Sequence, residues 1–145
     1  MMGIQVYQAR VEDAEVLFGL NERFNGAGCN ALELVRASLE TNTQEAVFLV
    51  KKGDTVAGFC CVQIFKSMCY NRHYAEITEL FIDEGFRRQG LGTELLKKVE
   101  EHFSQENFAG FQLFTGDKNW FAQMFYEHLG YQRTGEIMYR KRKEP

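Results

Sequence analysis

The sequence predicts an α/β fold, a mixed central sheet flanked by helices, with elements in the order β-α-α-β-β-β-α-β-α-β. Three observations carry that expectation. Short stretches alternate apolar and polar residues with period two, and others repeat with helical spacing. The two kinds interleave along the chain instead of segregating into blocks. A glycine-bearing turn joins a strand to a helix near residue 90.

Residues 4–9 alternate as a strand. Residues 13–24 read as a helix, with Ala14, Leu17, Phe18 and Leu20 apolar. Asn30 is a candidate cap for a second helix over 31–39. Two strands, 46–50 and 56–65, are joined through Lys52-Gly53-Asp54, a hairpin signal. A fourth strand covers 74–82. A third helix runs from 91 to about 103, with Leu91, Leu95, Leu96, Val99 and Phe103 on one stripe. A strand over 111–115, a helix over 120–129 closed by Gly130 and a last strand over 131–140 complete the order.

The turn reads Arg87-Arg88-Gln89-Gly90-Leu91-Gly92-Thr93. Two glycines let a backbone approach a ligand closely. The unbonded N–H groups and the dipole at the start of the following helix suit an anion such as a pyrophosphate. Arg87 and Arg88 add positive charge there. Gly85 and Gly90 have Walker A spacing, but Leu91-Gly92 stands where Lys-Ser/Thr is required. A dinucleotide fingerprint would need glycine at position 95, which is Leu95.

The Arg87 to Gly92 segment resembles the Arg/Gln-x-x-Gly-x-Gly/Ala signature of the GNAT superfamily, the acetyl-CoA-dependent N-acetyltransferases. A second segment, Asn119-Trp120-Phe121-Ala122-Gln123-Met124-Phe125-Tyr126-Glu127-His128-Leu129-Gly130-Tyr131, is similar to that family's Asn-x-x-Ala-x-x-Phe-Tyr-x-x-x-Gly-Phe/Tyr pattern. A third, Arg10-Val11-Glu12-Asp13-Ala14, resembles its Arg-x-x-Asp-Ala entry to the first helix. The likeness spans essentially the whole chain. It implies acetyl-CoA as co-substrate, with no metal. It also implies cofactor contacts from Leu80, Phe81, Ile82, Arg87, Arg88, Gln89, Gly90, Leu91, Gly92, Thr93, Asn119 and Phe125.

Along the fourth strand, apolar character moves from the parity of Ala75 and Ile77 to that of Leu80 and Ile82. A β-bulge near Thr78 and Glu79 would reconcile the two halves, as would a misplaced register. In the resembling family the fourth and fifth strands splay at such a bulge, and main-chain N–H groups there hold the cofactor.

Amine acetylation needs a base, because an amine with a pKa near ~10.4 is protonated at neutral pH. Glu79 and Glu76 are the candidates. A backbone N–H near Leu80 or Phe81 would stabilise the charge that develops on the thioester oxygen. Tyr126 is the candidate acid for the departing thiolate. Each has a plainer reading: the glutamates as solvated strand residues, Tyr126 as one side of an amphipathic helix, and Asn119 as a helix cap. His73, His102 and His128 are scattered without metal spacing.

The chain has 145 residues, 45% hydrophobic and 14% aromatic, as expected of one globular domain over 1–145. Its net charge of −3 argues against a nucleic-acid footprint. The start, Met1-Met2-Gly3, shows no secretory pattern, and no apolar run is long enough to span a membrane. Cys29, Cys60, Cys61 and Cys69 lack paired spacing, so free thiols and a cytoplasmic location are expected. The segments freest to shape an acceptor site are 21–30 and 66–73. Glu22, Glu33, Glu76 and Glu79 could together form an acidic mouth for a cationic amine. The expected partner is a small-molecule amine, polyamine- or aminoglycoside-like, with a homodimer as candidate assembly and no nucleic acid or membrane. The alternatives are acetylation of a protein or peptide amine, a non-catalytic acyl-CoA-binding regulatory domain, and an unrelated nucleotide-phosphate binder.

Overall fold

The structure is a computed structural model that describes residues 3–104 and 107–144. Of the sequence readings above, those on Met1 and Met2 lie outside the described residues. The chain divides into two compact units, Met1–Phe114 and Thr115–Pro145.

The first unit contains β1 (Ile4–Gln8), α1 (Ala14–Asn25), α2 (Leu32–Thr41), β2 (Glu45–Lys52), β3 (Thr55–Phe65), β4 (His73–Ile82), α3 (Leu91–Ser104) and β5 (Phe108–Leu113). Single 3₁₀ turns at Val11–Asp13 and Glu84–Phe86 precede α1 and the glycine turn. The sheet order is β1-β2-β3-β4-β5; all neighbours are antiparallel except β4 and β5, which are parallel. The entry to α1 is closed locally: the Arg10 N–H donates to Asp13 Oδ2 at 2.8 Å and the Asp13 N–H donates to the Arg10 carbonyl at 2.9 Å.

Alternation along the strands gives each sheet face its own helices. Leu49, Phe59 and Phe81 form a core with Leu17 and Leu20 of α1, and Val35 and Leu39 of α2 pack against it. On the opposite face Phe48 meets Phe103 of α3 edge-on at 6.1 Å. The stripe predicted for α3 is buried throughout: Leu91, Leu95, Leu96, Val99 and Phe103. Cys60, buried on that face, has its thiol pushed up to about 12 by loss of water, which keeps it protonated and inert.

Three boundaries differ from expectation. Asn30 does not cap α2; Ala31 holds the cap position, and Asn30 Oδ1 accepts only the Ala31 N–H, at 2.9 Å. The fifth strand begins at Phe108, not Phe111. There Phe108 packs on Phe103 at 4.8 Å, and Asn107 accepts the His73 N–H at 2.9 Å, so tertiary contacts start the strand early. The expected strand over 131–140 is not formed. Among its residues Ile137, Met138 and Tyr139 are exposed, and no strand among the described residues pairs with the segment.

The second unit holds α4 (Trp120–His128). Asn119 Oδ1 accepts the Ala122 N–H at 3.2 Å, an N-terminal cap. At the other end Gly130 has φ +97°, its N–H donates to Glu127 at 3.1 Å, and the Tyr131 N–H donates to Tyr126 at 3.0 Å. These two bonds form a Schellman closure, completed by the Tyr126 and Tyr131 rings 5.8 Å apart.

Candidate functional site

The bulge expected in the fourth strand is present. Opposite β3, Val62 pairs with Ile77 and Cys61 with Glu79, so Thr78 is the extra residue of β4. Its hydroxyl donates to the Cys61 carbonyl at 3.3 Å. Consecutive residues of β3 face opposite ways, so Ile77 and Glu79, although two apart, also face opposite ways. Ile77 stays buried on the α3 side, and Glu79 is delivered to the side of α1 and α2.

There Glu79 lines a cavity of about 300 Å³ together with Asn21, Asn25, Ser38, Glu45 and Cys61. Leu17, Val35, Leu39, Val47 and Phe59 supply apolar wall. Burial raises the Glu79 carboxyl above its ordinary value, and a hydrogen bond with Asn25 partly opposes that rise. Asn25 is steadied by donating to Asn21 Oδ1 at 2.7 Å. Glu45 is also raised, by burial first and by the negative charge of Glu79 after it, while its bond with Gln63 lowers it. Burial raises the Cys61 thiol well above normal, with Glu45, Cys60 and Glu79 adding to it.

The acidic mouth expected from the sequence is not assembled. Of its four glutamates only Glu79 lines the cavity. Glu22 turns its Oε2 to the Gly28 N–H at 3.1 Å, closing the loop after α1, and Glu33 lies in the first turn of α2. Glu76 shares a strand face with Glu79 but accepts from Gln112 Nε2 of β5 at 2.9 Å. From the two segments expected to shape an acceptor site, Asn21, Asn25 and Asn30 line the cavity and no residue of 66–73 does. Glu45 was missed. Standing immediately before the apolar stretch of β2, it reads as a loop residue; only pairing with Gln63 puts it in the sheet.

The β4–β5 ladder ends at Ile77↔Leu113, so β5 does not pair with Leu80, Phe81 or Ile82. Just beyond lies the glycine turn. Arg88 has φ +63° and Gly90 φ +82°, two left-handed residues that bend the chain into α3. A Cβ on Gly90 would meet nothing within 4 Å, so the turn has open space beside its backbone. The Glu94 N–H returns to the Gly90 carbonyl at 3.1 Å; the N–H groups of Leu91, Gly92 and Thr93 stand in the first turn, where a helix has no internal acceptors. The Arg87 Nε donates to the Ile82 carbonyl at 2.9 Å, and its guanidinium lies 5.9 Å from the Phe81 ring centre. The Gln89 amide accepts from Lys52 Nζ of β2. The residues of this turn fit a pyrophosphate: aligned N–H donors, a helix N-terminus and adjacent guanidinium groups.

In the second unit, Asn119 is engaged as the helix cap. Phe125 lies against Tyr126, ring centres 5.2 Å apart. No helix among the described residues is long and apolar enough to cross a membrane.

Residues 14–131 match the acetyltransferase (GNAT) family. The chain is 31% identical over 90 residues to an uncharacterised N-acetyltransferase of Methanocaldococcus jannaschii, covering 61% of this chain and 40% of that one. It is 27% identical over 124 residues to an uncharacterised N-acetyltransferase of Chlorobaculum tepidum, covering 86% and 76%. The match therefore spans less than half the length of the first relative and about three quarters of the second. In fold it is similar to an aminoglycoside N-acetyltransferase in complex with CoA, with a TM-score of 0.83 at 16% identity, covering 99% of this chain and 97% of that one.

Proposed function

Because the chain belongs to the acetyltransferase (GNAT) family, we propose that it transfers the acetyl group of acetyl-CoA to a primary amine of a small cationic molecule, polyamine- or aminoglycoside-like, by direct attack in a ternary complex. The bulge at Thr78 carries this reading. It turns a carboxylate with a raised pKa into a cavity, just where β5 stops pairing with the same strand.

The chain's own groups divide the work. Leu91, Gly92 and Thr93 N–H groups, with Arg87 and Arg88, would hold the pyrophosphate, and backbone groups of Leu80, Phe81 and Ile82 the chain beyond it. Gln89, Asn119 and Phe125 are further proposed contacts. Bound acetyl-CoA supplies an activated thioester. Glu79 accepts a proton from the ammonium, directly or through a water, and burial raises its proton affinity in the direction that favours a base. Glu76, held by Gln112, is the second candidate for that role. A backbone N–H at Leu80 or Phe81 stabilises the oxyanion, an effect typically worth ~10²–10³ in rate. Tyr126 is proposed as the acid for the leaving thiolate. Resemblance in fold to an aminoglycoside N-acetyltransferase in complex with CoA supports the substrate class.

Release of free thiol from acetyl-CoA across a panel of amines tests the reaction. Turnover with no amine would overturn it, and CoA binding without turnover would leave a regulatory binder. Gly92→Val should abolish CoA binding in calorimetric titration while the protein still folds. Tyr126→Phe should lower turnover by roughly ten to a few hundredfold with CoA affinity kept. Full activity of that variant would remove the acid role.

A further inference from the structure

Two carboxylates face this cavity, yet the reaction uses one. Among the described residues Glu45 and Glu79 are its only charged lining, with no lysine, arginine or histidine beside them. Glu45 Oε2 accepts from Gln63 Nε2 at 3.3 Å. The Cys61 thiol lines the cavity as well and donates no hydrogen bond among the described residues. Burying two like charges in one enclosure is unfavourable unless a cation accompanies them.

The register fixes their relation. Val47, Cys61 and Glu79 stand in one row across β2, β3 and β4, and Glu45 lies one row away on β2, opposite Gln63. Two strand spacings and two residues of rise put the two α-carbons about 12 Å apart. That spread suits two separate cations better than one shared ion. Among the described residues no three acidic, histidine or cysteine groups gather as a metal site. On the sheet Cys61 and Gln63 lie between the two carboxylates, with Val47 beside them, and Leu17, Val35, Leu39 and Phe59 add apolar wall. The cavity thus has two anionic poles and apolar wall beside them.

We propose that Glu45 anchors a second ammonium group of the acceptor, so that the molecule acetylated is a diamine or longer polyamine held by Glu45 at one end while Glu79 faces its reacting amine. This rests on the acetyl-transfer reading for the identity of the reacting end, but the binding it describes can be measured without turnover. A chain of methylenes would lie along Val47 and Cys61, and each ammonium would form a charge-assisted hydrogen bond.

The test compares 1,4-diaminobutane with 1-aminobutane by calorimetric titration of the full chain. Wild type should bind the diamine roughly tenfold or more tightly, as expected for one added charge-assisted bond. Glu45→Gln should erase most of that preference, and Glu45→Asp should retain part of it, with circular dichroism confirming that both variants fold. Equal binding of the two amines by wild type, or a preference undiminished in Glu45→Gln, overturns the proposal. Thiol release measured alongside separates the two ideas. Diamine preference without thiol release refutes acetyl transfer and leaves the two-pole site standing. Thiol release without diamine preference does the reverse.

Discussion

The two halves of β4 differ in almost everything except sequence distance. Residues 74–77 pair with β3 on one edge and with β5 on the other. Residues 79–82 pair with β3, but β5 has already ended. Glu76 in the first half is tied across the ladder to Gln112. Glu79 in the second half lies in a cavity, bonded to Asn25 of α1, with its proton held more tightly than usual. One inserted residue, Thr78, separates a carboxylate tied into the ladder from one that lines a cavity. A sheet can thus place a functional group without any loop, provided that the pairing is broken at the right residue.

Removing the break should have the largest effect. Deleting Thr78 makes Ile77 and Glu79 consecutive, so Glu79 keeps its face opposite Cys61, but the bulge that bends the strand and leaves backbone groups unpaired beside Leu80 is lost. The expected outcome is a large fall in thiol release with the fold kept by circular dichroism, whereas Thr78→Gly should keep both. A deletion variant with wild-type turnover would break the comparison.

Next is the contrast between the glutamates themselves. Glu79→Gln should lower turnover by ~10²–10⁴ near neutral pH, where the carboxylate is ionised and the amine still protonated. The deficit should be smaller at low pH, where wild-type Glu79 is itself protonated. Glu76→Gln, in which the amide can still accept from Gln112, should cost only a few-fold. Reversal of that order in pH–rate profiles would move the base to the first half of the strand.

Gly58 probes packing in the second half. It sits opposite Ile82, and a Cβ there would lie 2.3 Å from the Phe81 carbonyl oxygen and 2.7 Å from Ile82 Cδ1. Gly58→Ala should therefore destabilise by about 1–3 kcal/mol in urea unfolding. Gly110→Ala, in the β5 partner of the first half, would meet only the Tyr74 ring at 3.8 Å and should cost much less.

The smallest effect is electrostatic. Glu45 and Glu79 both have raised folded pKa values. They bind protons more tightly when the chain is folded, so the stability they contribute is fully present below the ordinary carboxylate value and is lost as pH rises through the raised one. Glu45→Gln should flatten that decline and slightly raise the melting midpoint at neutral pH. A steeper decline in the variant would reverse the sign assigned to this pair.

Much of this was legible in the chain. The parity change from Ala75 and Ile77 to Leu80 and Ile82 announced the bulge, because burial on one face enforces a strict period. The stripe of α3 and the glycine turn were equally local. Glu45 was not legible, since its role depends on pairing with Gln63 and on a charge two strands away. The last strand was read from residues whose side chains in fact stay exposed; strand character requires a partner edge as well as alternation. Glu22 was misassigned for a similar reason. A backbone N–H at Gly28, invisible in composition, claims its carboxylate.

Arg88 has a consequence for time rather than affinity. It holds φ +63° with a full side chain, a conformation that costs about 1–2 kcal/mol over the ordinary helical one. Folding absorbs that strain, so the turn is already bent into α3 before any ligand arrives. Association of CoA should then be a single fast phase whose observed rate rises linearly with ligand concentration, without the plateau that a slow loop rearrangement would impose. Arg88→Gly would relieve the strain and also free the turn to wander, and a plateau appearing in that variant would reveal the ordering step that the arginine suppresses.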